Sequence, residues 1–288
     1  MAIVLGITNQ KGGVGKTTTA VNLAACLGAA LHNTLLIDMD PQGNATSGVG
    51  VDKNSLENTI YDVLLNEAPA SDAILKTTFD NLSVLPANIE LIGAEVELVP
   101  IPFREQRLRL AIHDICDSFD YIVIDSPPSL GLLTINVLTA VHNVIIPVQC
   151  EYYALEGLSL LIETIQRVNR NFNPRLKLSG ILMTMSNSRT NLSQQVIDEV
   201  KNYFGNVVFK TIIPRSVRLS EAPSFGKPII FYDFRSSGSA SYIDLCREII
   251  RLNEEISPSV PEQTVERLTD QPAETREGFA PDSGEEPK

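Results

Sequence analysis

The sequence predicts an α/β fold, a doubly wound and mostly parallel β-sheet flanked by helices, and three observations carry that expectation. Short apolar runs recur from the N-terminus to about residue 213. Stretches with helical spacing of apolar residues lie between them. Several runs are apolar at nearly every position, which suits strands buried on both faces of a parallel sheet.

In chain order, "IVLGIT" (3–8) reads as the first strand and leads to a helix at about 16–30. "TLLID" (34–38) and "LSVLP" (82–86) follow, with helices expected at about 55–66 and 103–118. "YIVID" (121–125) precedes a helix at about 130–141, and "NVIIPV" (143–148) one at about 154–171. "LSGILMT" (178–184) and "VVFKTII" (207–213) are then followed by helices at about 190–203 and 239–255. Beyond residue 256 the chain is rich in Pro, Glu, Ser and Thr and poor in apolar residues. Such a composition cannot bury enough surface to fold, so residues 1–256 are expected to form the domain and 257–288 a disordered acidic tail.

At 288 residues and 43% hydrophobic content, the chain can build one large core. No apolar run approaches the roughly 20 residues of a membrane span, and "AIVLGITNQ" offers no basic leader or cleavage site. A soluble cytoplasmic protein is expected. Cys26, Cys116, Cys150 and Cys246 are far apart without a CxxC pair, and the three histidines are scattered. The cysteines therefore read as reduced, small core residues, and no Cys/His metal cluster is expected.

Charge is distributed unevenly along the chain. The net charge is −12. Residues 1–166 carry 7 basic and 19 acidic side chains, and residues 252–288 carry 3 and 10. Residues 167–251 carry 13 and 6, a local excess of +7. A polyanion could bind that basic segment despite the acidic total.

The first strand runs into "TNQKGGVGKTTT" (8–19), and a helix follows. That is the strand–loop–helix context of a phosphate-binding loop, although Gln10 stands where the usual first glycine would be. Glycines let backbone N–H groups turn toward an anion, and the helix N-terminus adds partial positive charge. Lys16 is expected to neutralise the β- and γ-phosphates and Thr17 to coordinate Mg²⁺. The expected ATP contacts within the loop are Gly12, Gly13, Val14, Gly15, Lys16, Thr17 and Thr18. Asp125, ending "YIVID", suits a carboxylate that reaches Mg²⁺ through water, and the stiff Ser126-Pro127-Pro128-Ser129 turn a γ-phosphate sensor. In "LLIDMDPQGNATSG", Asp38 and Asp40 end a strand on the sheet edge where ligands bind. Asp40 is expected to orient or deprotonate the attacking water, with Asp38 nearer Mg²⁺ and its waters.

Together, "KGGVGKTT", "DMDPQGNAT", "YIVIDSPPSLG", "PVQCEYYALEGL", "SRTNLSQQV" and "IPRSVRLSEAPSFGKP" resemble the ParA/Soj chromosome-partitioning ATPases over about residues 1–250. Their deviant Walker A motif reads K-G-G-x-G-K-[ST]. The resemblance implies a phosphate-loop ATPase that dimerises face to face around two ATP molecules. It gives Lys11 a purpose, since the extra lysine crosses to the other subunit's phosphates, and makes Lys11, Lys16 and Asp40 the catalytic set. It implies adenine contacts at Pro214 and Arg215, although Ser216 and Asn187 stand where the family has Asn and Asp. It further implies non-specific binding of double-stranded DNA through Arg189 and Arg218, a ParB-type partner, turnover stimulated by both, and a nucleoid location.

Only ten residues precede Lys11, so no helix-turn-helix domain is expected upstream. The alternative is a MinD-like membrane-associated positioning ATPase. Its basic amphipathic C-terminal helix does not match "YIDLCREIIRLNEEIS", so no membrane partner is expected. A nitrogenase-type iron protein would need cysteines within 88–101 or 125–131, and there are none.

Overall fold

The sheet has eight strands in the order β3-β4-β2-β5-β1-β6-β7-β8. They are β1 (Ile3–Ile7), β2 (Thr34–Asp38), β3 (Leu75–Lys76), β4 (Leu82–Leu85), β5 (Tyr121–Asp125), β6 (Asn143–Gln149), β7 (Lys177–Ser186) and β8 (Val208–Pro214). The computed structural model describes residues 2–151, 154–187 and 190–255. All neighbours pair in parallel except β3, which runs antiparallel to β4 at the edge. The seven expected strands all form, and the doubly wound fold is as the sequence predicts. β2 and β5 are buried at every position, which explains their unbroken apolar character.

The helices are α1 (Lys16–Ala29), α2 (Asn44–Gly48), α3 (Ile60–Leu65), α4 (Ala70–Ala73), α5 (Leu91–Glu97), α6 (Arg107–His113), α7 (Leu132–Ala140), α8 (Ala154–Asn171), α9 (Asn191–Phe204), α10 (Val217–Glu221), α11 (Ile229–Tyr232) and α12 (Ser237–Glu255). Two expectations need correction. The helix expected over 55–66 starts only at Ile60, because Thr59 caps it: its hydroxyl accepts from Tyr61 N–H, and its own N–H donates to Asp62. The segment 103–118 is broken into α6 and two flanking 3₁₀ turns. Phe103 sits at φ 57°, so helical backbone begins only after it, at Arg104.

The short helices α2, α4, α5, α10 and α11, and the edge strand β3, were not expected. Each is seven residues or fewer, too short for a helical period to register. Most of α1 is buried, since it lies across the sheet centre with β1, β2 and β5 beneath it. Leu23 and Leu27 of α1 join Leu5, Leu36 and Val123 from the strands and Tyr242 and Leu245 of α12 in one core. Each such side chain contributes about 1.5–3 kcal/mol on leaving water. The Tyr242 hydroxyl meets Thr19 Oγ1 at 3.2 Å, so this buried polar atom of α12 is satisfied. Cys26, Cys150 and Cys246 are buried free thiols, as expected, and Cys116 is partly buried and free.

One compact unit covers Met1–Arg251. The tail expected at 257–288 lies outside the described residues.

Candidate nucleotide site

Strand order decides where the site lies. β1 sits between β5 and β6; the chain leaves β1 toward β2 on one side and leaves β6 toward β7 on the other, so the carboxyl end between β1 and β6 is a topological switch point. The loop 8–15 occupies that point and enters α1. Gly13 (φ 73°) and Gly15 (φ 92°) take left-handed backbone that a side chain would strain. Gly15 is the residue before α1, no side chain caps the helix, and no acidic residue occupies its first turn. Its N-terminal N–H groups and dipole are therefore presented to an anion.

The loop is held from below. Thr184 of β7 donates to Val14 O at 2.8 Å. Asn9 donates to Pro147 O at 2.8 Å and accepts from Lys11 N at 3.0 Å. Gln10, at the missing glycine, donates to Gly157 O at 3.1 Å, so it ties the loop to α8.

The two lysines are placed differently. Lys16 is buried and donates to Lys11 O at 3.1 Å. Burial lowers its pKa, and Asp125 and Asp40 partly restore it. Lys11 is half-exposed and forms an ion pair with Glu151 at 3.2 Å. One ammonium thus points into the loop while the other lies on the outer face.

Asp38 and Asp125 are register partners at the ends of β2 and β5, and both are fully buried. Asp38 accepts from Thr46 N and Thr46 Oγ1, each at 2.8 Å, and from Asp40 N at 3.1 Å. Burial nevertheless pushes its pKa up to about 6. This carboxylate uses both oxygens to fold the Asp40 segment back onto α2. Asp125 has no hydrogen-bond partner of normal geometry on either oxygen, although the Thr17 hydroxyl stands near enough to lower its pKa somewhat. Burial first, and Asp38 second, raise it well above the usual carboxylate range. An orphaned buried carboxylate beside Thr17 and Lys16 matches Mg²⁺ held by phosphates and a hydroxyl, with Asp125 reaching it through water. Among the described residues no cluster of three or more His, Cys, Asp or Glu could hold a metal unaided.

The cost of that carboxylate gives an expected result. Asp125→Asn should stabilise the nucleotide-free protein at pH 7 by about 1 kcal/mol, or roughly 2–4 °C in Tm, by removing a buried carboxyl whose ionisation Lys16 compensates only in part. Asp38 and Asp125 have raised folded pKa values, so the folded state holds extra protons. Their contribution is therefore greatest below the ordinary carboxylate pKa, near 3.8, and is lost as pH rises through about 6 for Asp38. The advantage of Asn over Asp at position 125 should accordingly shrink on acidification, as the raised pKa of Asp125 keeps its carboxyl protonated there. Thermal melts from pH 5 to 8 would measure it, and a lower Tm for the variant at pH 7 would contradict the assignment.

Asp40 is almost buried, and its carboxylate accepts from Gln42 N at 2.9 Å, which shapes the turn ahead of α2. On the other side, Ser126 Oγ donates to Thr8 Oγ1 at 3.0 Å. Thr134 Oγ1 donates to Ser129 O at 2.6 Å, which fixes the Pro-Pro turn against α7. Glu95, on α5, receives Leu132 N at 3.0 Å and so caps α7 from outside. A cap supplied by a distant helix leaves no local pattern, and the sequence reading missed it. Glu151 was missed as Lys11's partner too, although it stands within "PVQCEYYALEGL".

A cleft of about 420 Å³ opens beside Thr17 and Thr18, closed by Asn44 and Ser47 of α2 and by Ser224 and Lys227. Pro214 and Arg215 do not line it. They lie at the end of β8, where Arg215 N donates to Ser186 O at 2.9 Å, on the same sheet edge as the loop. Arg218, on α10, is exposed and paired with Glu221 and Asp233. Arg189 lies outside the described residues.

A glycine-turned loop at the switch point, a buried lysine, Thr17 and a strand-end Asp125 define a phosphate-loop nucleoside triphosphatase with a second lysine in the loop. A family model described as an AAA domain matches residues 2–178. The sporulation initiation inhibitor protein Soj of Bacillus subtilis is 58% identical over 86% of this chain and 98% of its own. The chromosome partitioning protein ParA of Myxococcus xanthus is 55% identical over 88% and 90%. The chain belongs to the ParA/Soj family of chromosome-partitioning ATPases. Among solved structures, a cobyrinic acid a,c-diamide synthase from Mycobacterium smegmatis with bound ADP and magnesium superposes with a TM-score of 0.79. It is 37% identical over 91% of this chain and 98% of its own.

Proposed function

We propose that the chain forms an ATP-dependent dimer that binds DNA without sequence preference and drives chromosome or plasmid partitioning with a ParB-type partner. The observation that carries this reading is the division of labour between the lysines: Lys16 buried in its own loop, Lys11 on the outer face. A cation facing outward beside the phosphate loop can compensate a neighbour's phosphates, which makes association depend on bound ATP.

Lys16, Thr17, Thr18 and the loop N–H groups hold the phosphates, with adenine contacts assigned to Pro214 and Arg215. Mg²⁺ would be held by the phosphates and Thr17, with Asp125 behind a water, and would supply charge neutralisation at the β- and γ-oxygens. Asp40 orients the attacking water and takes its proton, and Asp38 holds Asp40 in place through its N–H. Hydrolysis is slow alone and stimulated by DNA and partner.

Exposed apolar residues support the dimer. Ile89, Ile92 and Val96 are 61%, 55% and 72% exposed. Ile89 flanks the Gln42 turn, and α5 holds the start of α7 through Glu95, so these residues border the loops around the γ-phosphate position. A second copy would remove them from water. In DNA binding, Arg189 and Arg218 act within the basic segment 167–251, and the dimer doubles that patch into one avid, salt-sensitive surface. Among the described residues no helix is long and apolar enough to cross a membrane.

Lys11→Ala tests the reading. The variant should bind ATP with affinity near that of the wild type but sediment as a monomer at ATP concentrations that dimerise the wild type. A variant that still dimerises with ATP would remove Lys11 from the interface.

A further inference from the structure

Arg218 does not face solvent as a free cation. Its Nη1 donates to Glu221 Oε2 at 3.0 Å, and its Nε lies 3.4 Å from Asp233 Oδ2. One guanidinium is thus bracketed by two carboxylates from different elements, Glu221 ending α10 and Asp233 following α11. Resting on the reading of Arg218 as a DNA contact, we propose that Glu221 and Asp233 form a carboxylate clamp that competes with DNA phosphate for Arg218. The clamp lowers DNA affinity and keeps binding reversible.

The clamp is built on fixed ground. Tyr232 OH donates to the same Glu221 Oε2 at 3.2 Å, and the Tyr232 ring stacks on Phe225 with centroids 5.0 Å apart. Leu219, Ala222 and Ile229, flanking the acidic pair, are buried. Ile229 N donates to Asn22 Oδ1 at 2.6 Å, and Asn22 in turn donates to Thr18 O at 2.7 Å. The segment bearing both carboxylates is therefore pinned to α1 at Asn22, about two turns from the phosphate loop. Competitors held in place lose little entropy on pairing, so they oppose a phosphate more effectively than mobile surface carboxylates would.

The strength of the clamp suits release. Arg218 is 56% exposed, so each pair is screened by solvent and salt. A phosphate contact can displace it, at a cost of roughly two- to fivefold in affinity per clamp. In a dimer two clamps act together and the factor multiplies.

The test is a double-mutant cycle on DNA retention with ATP, using a non-specific duplex of fixed length. Glu221→Gln and Asp233→Asn, singly and together, should each tighten binding severalfold in the wild-type background. Combined with Arg218→Ala, the same substitutions should gain little, because the competed group is absent. Simple relief of repulsion between acidic residues and DNA predicts equal gains in both backgrounds, and that result would overturn the clamp. So would no gain in either background. If the wild type retains no DNA with ATP, the DNA-binding reading itself fails and the clamp's role with it. If Arg218→Ala alone weakens binding yet the cycle shows no coupling, only the clamp fails.

Discussion

Lys16→Ala is expected to abolish ATP binding at physiological concentrations. Truncating one partner of a buried, hydrogen-bonded charge pair costs about 2–5 kcal/mol, which corresponds to roughly 30- to 5,000-fold in affinity. Two effects act together here. The β- and γ-phosphates lose the cation that neutralises them, and Asp125 and Asp40 lose the nearby positive charge that partly compensates their own. The anionic substrate would then approach a site with uncompensated carboxylates. Calorimetric titration with ATP and Mg²⁺ would measure the loss, with circular dichroism to show that the fold persists. Binding within a fewfold of wild type would refute the phosphate-loop assignment.

Asp40→Ala is expected to separate binding from turnover. Lys11, Lys16 and Thr17 are assigned to the ground state and Asp40 to the attacking water, so the loss of Asp40 should fall on the transition state. Removing a positioned general base lowers turnover by roughly 100- to 10,000-fold. ATP binding and dimerisation should survive, and the dimer should accumulate because its exit by hydrolysis is blocked. Asp40→Asn provides the control. Its amide oxygen can still accept from Gln42 N, which preserves the turn, but it cannot take a proton. Both variants should therefore be slow while only the Ala variant loosens the turn. Phosphate release and sedimentation with ATP measure the two readouts, and unchanged turnover in Asp40→Asn would sink the role.

Much of the fold was legible because parallel strands and buried helices leave one-dimensional signatures. "TLLID" and "YIVID" are apolar along their length since β2 and β5 are covered on both faces. What escaped was short or borrowed. α5 turns Ile92 and Val96 outward and buries Leu91 and Ala94, so seven residues gave no readable amphipathic face. The start of helical backbone after Phe103 depends on one positive φ that no glycine announces.

The sequence by itself determined the phosphate loop, since Gly13, Gly15, Lys16 and Thr17 are contiguous and their chemistry is local. It also determined that Asp38, Asp40 and Asp125 lie on one sheet edge, because each ends or follows a parallel strand. Only the tertiary structure decided how the two buried carboxylates differ. Asp38 is occupied by Thr46 and the Asp40 N–H, while Asp125 has no hydrogen-bond partner of normal geometry. Only it decided that Lys11 pairs with Glu151, 140 residues away, and that Arg218 sits between Glu221 and Asp233. The reason is physical. Backbone conformation and strand burial follow from neighbours in the chain, whereas a charge's pKa and partners depend on the groups that folding brings around it, and topology alone sets those.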